Sequence, residues 1–119
     1  VPSRTRGERV EMLRIHLVIR ELVRMTAETA REIERSDRRL AAQYRDALGS
    51  AGLNTVEGSD QRGGRRGAHY SIALGSAREA WEALNIAAGW GFIAEPTEEI
   101  RGKFNQVIGT LHRVVHPRR

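Results

Sequence analysis

The chain has 119 residues, with twenty basic and fifteen acidic side chains for a net charge of +5, and it contains no cysteine. That length suits one domain around one hydrophobic core, and the missing thiols exclude both a disulfide framework and a thiolate metal site. No apolar run approaches the roughly 20 residues that span a bilayer and no basic start leads into an apolar signal core, so a cytoplasmic protein with no membrane partner is expected.

Of the twenty basic residues only Lys103 is lysine. Arginine's planar fork suits bidentate contact with phosphate, and an excess of positive charge favours acidic partners such as nucleic acid. A GC-rich genome raises arginine over lysine with no function attached. The overall basicity is therefore the better clue.

Residues 1–7 lack apolar periodicity and read as a flexible arm at the edge of a single domain covering 1–119. A first helix is predicted from about Glu8 to Arg35. Ile15, Val18, Leu22, Met25 and Ile33 form one stripe, with Met12, Ile19, Val23 and Ala30 beside it. Such breadth fits a helix that touches two neighbours in a bundle. Ser36 is the expected N-cap of a second helix over about Asp37 to Val56, whose inner side is marked by Leu40, Tyr44, Ala47, Leu48, Ala51 and Thr55. Gly49 and Gly52 cost about 1 kcal/mol each against alanine in a helix, which suggests a neighbouring backbone close by. Gly58 is placed to end that helix as a C′ residue.

The connection 59–67 is the most basic local segment, and Arg62, Arg65 and Arg66 are its candidate phosphate-binding residues. A third helix is predicted from about Ala68 to Ala88, with Tyr70, Ala73, Leu74, Ala77, Trp81 and Leu84 inward. Its small residues answer those of the second helix, so these two should pack closely. Trp90 and Phe92 are expected to fold over the bundle's end. A fourth helix should begin at Pro96, in the first helical position, with Glu98 and Glu99 in its first turn. Its stripe is Ile100, Phe104, Val107, Ile108, Leu111, Val114 and Val115, and Pro117 stops it. The fold class that follows is all-α, an up-and-down antiparallel four-helix bundle.

Polar residues interrupt the inner stripes. Ser50, Asn54 and Glu57 recur at i, i+4, i+7 on the second helix, and Ser76 and Glu79 at i, i+3 on the third. Polar groups facing inward are costly unless hydrogen-bonded, so these five are expected to form a buried structural network between the helices, with Arg45 and Arg78 as counter-ions.

The string Gln43-x-Arg45-x-Ala47, Ser50, Asn54, Glu57-Gly58, the basic loop, and Ala73-x-Gly75-Ser76-x-x-Glu79 resembles the small four-helix-bundle proteins encoded in intervening sequences of bacterial large-subunit ribosomal RNA genes. Leu84, Ala87 and Gly91-Phe92-Ile93 continue the likeness over nearly the whole chain. The resemblance implies a left-handed bundle, a ring-shaped homopentamer and no established enzymatic activity. A related branch is similar to accessory proteins of diversity-generating retroelements, which implies RNA, the ribosome or a reverse transcriptase as partners.

Apparent active-site motifs fail on context. Gly89-x-Gly91-x-x-Ala94 matches a dinucleotide fingerprint in letters, yet it follows a helix instead of a strand. Ser50 lacks the first glycine of a nucleophile elbow. His112 and His116, at i, i+4, have no carboxylate beside them to complete a metal site. Glu57 and Glu79 lack the Glu-x-x-His partners of a di-iron bundle. No catalytic residue, metal or cofactor is therefore expected. Two classes remain: an oligomeric bundle that binds RNA or a ribonucleoprotein through a basic surface, and a scaffold that docks a protein such as a reverse transcriptase.

Overall fold

The apolar stripes become four helices in a computed structural model that describes residues 6–60 and 64–118. They are α1 (Arg6–Ser36), α2 (Arg38–Asp60), α3 (Gly64–Gly89) and α4 (Glu98–Val115), and no strand occurs among the described residues. At 1.5 Å per residue, the 31 residues of α1 span about 46 Å, the full 47 Å length of the molecule. Among the described residues no helix is long and apolar enough to cross a membrane.

Each helix packs against two others, closing the cycle α1–α2–α3–α4–α1. The contacts fix the directions. Thr26 meets Tyr44 and Ile19 meets Gly52, so α2 rises as α1 falls. Asn54 meets His69 and Ser50 meets Ser76, so α3 runs against α2. Glu11 pairs with Arg113 and Glu21 with Lys103, so α4 runs against α1. This is an all-α, up-and-down antiparallel four-helix bundle.

The core follows the stripes. Met12, Ile15, Ile19, Leu22, Ile33, Tyr44, Leu48, Tyr70, Leu74, Leu84, Phe104, Val107 and Leu111 are buried. Alanines 47, 51, 73, 77 and 80 are buried between α2 and α3, and their short side chains let these helices lie close together. Val23 departs from expectation: it is 48% exposed beside a groove between α1 and α2. Trp81, Ile100, Ile108, Val114 and Val115 are only partly covered by the core.

Several boundaries are corrected. Arg6 and Gly7 are helical, where a flexible arm through residue 7 is predicted; residues 1–5 lie outside the described ones. Asp37, not Ser36, caps α2: its Oδ1 accepts the Leu40 N–H at 2.9 Å, the reach that a cap carboxylate needs. The α2 helix continues to Asp60, and Gly58 is a buried interior residue of it. In place of a C′ role, Gly58 gives room for the Tyr70 ring, whose Cε1 stands 2.5 Å from where a Cβ would be. Pro96 precedes α4. Thr97 caps that helix, its hydroxyl accepting the Ile100 N–H at 3.2 Å, while Glu98 and Glu99 occupy the first turn as expected. The close backbone inferred at Gly49 is absent, with nothing within 4 Å of where a Cβ would be, and a Cβ at Gly52 would meet an Ile19 methyl at 3.3 Å.

One polar pair crosses the core. Tyr44 Oη donates to Thr26 Oγ1 at 2.7 Å, and Thr26 donates to the Leu22 carbonyl at 2.7 Å. Burial pushes the Tyr44 hydroxyl up to about 12, against a smaller lowering by the Thr26 bond.

Candidate nucleic-acid interface

Antiparallel packing gathers the start of α1, the end of α2, the start of α3 and the end of α4 at one pole. Among the described side chains of residues 7–20, 50–60, 65–76 and 106–118, seven arginines face four acids, a net of +3. Arg4, Arg6, Arg62 and Arg119 have side chains outside the described ones. The remaining residues, 21–49 and 77–105, carry nine basic and eleven acidic side chains, a net of −2. The two described halves therefore differ in the sign of their charge.

Ion pairing divides the same way. In the second half Arg31 and Arg35 pair with Glu28, Arg45 with Glu34 at 2.8 Å, Arg101 with Glu98 and Lys103 with Glu21. At the basic pole the described pair is Arg113 with Glu11, at 3.7 Å. Arg9, Arg14, Arg20, Arg65, Arg66 and Arg118 form no ion pair with the described residues. Of the candidate phosphate-binding residues, Arg65 is exposed and Arg66 half-buried in the first turn of α3, and Arg62 lies outside the described residues. The basic surface is broader than the loop: Arg9, Arg14 and Arg118 join it through topology, which no local motif could reveal.

The predicted polar network is half present. Ser76 Oγ donates to Ser50 Oγ at 2.9 Å, joining α3 to α2. Asn54 Nδ2 donates to the Ser50 carbonyl at 3.0 Å and to Ser50 Oγ at 3.2 Å. His69 Nδ1 lies 2.9 Å from Asn54 Oδ1, an approach in which the ring N–H donates. Ser50, Asn54 and Ser76 are half-buried, whereas Glu57 and Glu79 are exposed, contrary to expectation. The spacing explains this. Ser50, Asn54 and Glu57 span an arc of about 60° around the helix, and Glu57 is on its outer edge; Glu79 stands about 60° from Ser76 in the same sense. Arg45 and Arg78 are not their counter-ions, since Arg45 holds Glu34 and Arg78 Nη2 lies 3.2 Å from His112 Nδ1.

Two apolar grooves line the α1–α2 side. One, of about 320 Å³, is bounded by residues including Val23, Ala27, Ala30, Leu48 and Gly49; the other, of about 200 Å³, by Met12, Leu13, Val56 and the polar Arg9, His16, Ser59 and Asp60. His16 Nδ1 is buried there without a hydrogen-bond partner. Val10, Leu13, Leu17, Leu53 and Val56 are all more than a third exposed on the basic half of these helices. At the other pole Phe92 packs on the core, but Trp90 stays 72% exposed with its ring 6.4 Å from that of Phe92; it does not fold over the bundle. The His112 and His116 rings lie tilted with centroids 4.8 Å apart, and among the described residues no group of three or more His, Cys, Asp or Glu could hold a metal. No protein-family model, curated protein or solved structure matches this chain.

Proposed function

We propose that the protein is a non-catalytic, oligomeric four-helix bundle that binds RNA or a ribonucleoprotein through its basic pole. The observation that carries this reading is the uneven pairing of guanidinium groups: Arg9, Arg14, Arg20, Arg65, Arg66 and Arg118 lie in one half without an ion pair to the described residues, while five of the nine cations of the other half are held by carboxylates. Unpaired arginines repel one another and gain most when a polyanion arrives and sheds its counterions. In a ring of five, the number the sequence resemblance implies, copies at +5 each carry +25 and draw nucleic acid strongly at low salt. Replacing Arg62, Arg65 and Arg66 with glutamine should lower affinity and flatten the log-log salt slope, by about 0.9 per phosphate no longer neutralised on duplex DNA or about 0.7 on a single strand. Unchanged binding by that variant would remove these residues from the interface.

The exposed apolar residues of α1 and α2 favour a second reading, a scaffold that docks a protein partner such as a reverse transcriptase. Patches of this kind mark association surfaces on soluble chains. The two surfaces meet on the basic half, where Arg9 lines one groove with Leu13 and Val56. Pull-down from lysate with and without nuclease separates the two readings: a partner retained after nuclease treatment is held by protein contact.

A further inference from the structure

Resting on the proposal that the basic pole binds nucleic acid, we infer that its ligand is a duplex, gripped by its phosphates, and not a single strand read through its bases. The chain has six aromatic residues of the Phe, Trp and Tyr types, and the fold keeps all of them from the basic pole's surface. Tyr44, Tyr70 and Phe104 are buried, Trp81 lies against Phe104, and Trp90 with Phe92 is at the opposite end. Single-strand binders gain about 1–3 kcal/mol per base from aromatic stacking, and that contribution is missing here.

Histidine rings can also stack on bases, but those at this pole are engaged or recessed, His16 being half-buried in the groove beside Met12 and Leu13. His69 is bonded to Asn54, and His112 is held by Arg78 and packs against His116. What remains is Coulomb attraction, and charge density then decides between ligands. Across the 23 Å width of the bundle a duplex at B-DNA spacing presents about 13 phosphates, one per 1.7 Å, whereas one strand presents about half as many. Six arginines on the described pole, without an ion pair to the described residues, face the denser array with more phosphates within reach.

Anisotropy titrations of the full chain with a labelled 20-base-pair RNA duplex and with each of its separated strands, at about 50 mM salt, test this. The duplex should bind about tenfold or more tightly than either strand. Trp90→Ala and a His112→Ala/His116→Ala variant should leave duplex affinity unchanged. Equal or tighter single-strand binding, or loss of affinity in either variant, overturns the inference while leaving nucleic-acid binding itself intact. Absence of binding to all three probes overturns both this inference and the proposal beneath it.

Discussion

The ring of Tyr70 fills the space that a side chain at Gly58 would need, with Cε1 and Cδ1 at 2.5 and 2.6 Å from the position of a Cβ. This packing joins the last turns of α2 to the first of α3, and it allows α2 to run on to Asp60. Glycine inside a helix ordinarily costs about 1 kcal/mol against alanine, so Gly58→Ala would stabilise an isolated helix. In the bundle the new methyl meets a fully buried ring, and overpacking of that kind costs about 1–3 kcal/mol. Gly75→Ala, with nothing within 4 Å of its Cβ, should instead stabilise by about 0.5–1 kcal/mol. Urea midpoints moving in opposite directions for these two variants are expected; a shared direction would remove the Tyr70 ring as the cause.

The Tyr44–Thr26 pair gives an alkaline signature. Burial raises the Tyr44 hydroxyl from 10.0 to about 12 in the folded chain, so the unfolded chain loses this proton first. The stability from keeping Tyr44 protonated is fully present below pH 10 and is lost as pH rises through about 12. Arginine does not titrate in that window, which leaves few competing groups. Tyr44→Phe should flatten the fall in melting temperature between pH 10 and 12. Thr26→Val should cost about 1–3 kcal/mol at neutral pH by stranding the buried hydroxyl. An alkaline slope identical in wild type and Tyr44→Phe would contradict the assignment.

Glu57→Gln and Glu79→Gln should each change stability by less than about 0.5 kcal/mol, as exposed substitutions do. Ser50→Ala should cost about 0.5–1.5 kcal/mol, because Ser50 Oγ accepts from both Ser76 and Asn54. Thermal denaturation of the three variants ranks them. A glutamate variant more damaging than Ser50→Ala would return those carboxylates to a structural role.

The fold was legible because each helix repeats its apolar residues at helical spacing, and Phe104, Val107 and Leu111 bury as that spacing requires. Caps were less legible. Ser36 and Asp37 are both good cap residues, and only the backbone decides which one leaves the helix; here it is Asp37. The polar network was half legible, since a shared face fixes direction to within a broad arc and burial changes across that arc from Asn54 to Glu57. The basic pole was legible only at Arg62, Arg65 and Arg66, which are neighbours in sequence. Arg9 and Arg118 are more than 100 positions apart, and antiparallel packing brings their segments to one end.

Self-association is the fourth expectation. Leu13 and Leu53 are 62% and 70% exposed, Arg20 and Arg24 on α1 form no ion pair with the described residues, and neither do Asp46 and Glu57 on α2. A head-to-tail interface of α1 on one copy with α2 on the next would cover the leucines, pair these charges and close a ring. Light scattering at micromolar concentration should give about five times the 13.4 kDa chain mass, falling toward one chain in Leu13→Lys/Leu53→Lys. A wild-type mass of 13.4 kDa rejects assembly, and a dimer rejects the ring.

The most direct test of the central claim compares two triple variants of equal net charge in salt-dependent RNA-binding titrations. One, Arg65→Gln/Arg66→Gln/Arg118→Gln, strips the basic pole; the other, Arg24→Gln/Arg38→Gln/Arg39→Gln, removes three arginines without described ion pairs from the opposite half. If the pole is the interface, the first variant binds more weakly and its salt slope flattens with each phosphate it no longer neutralises, while the second stays close to wild type. Equal weakening in the two variants would mean that net charge alone attracts the ligand, and would contradict a localised site.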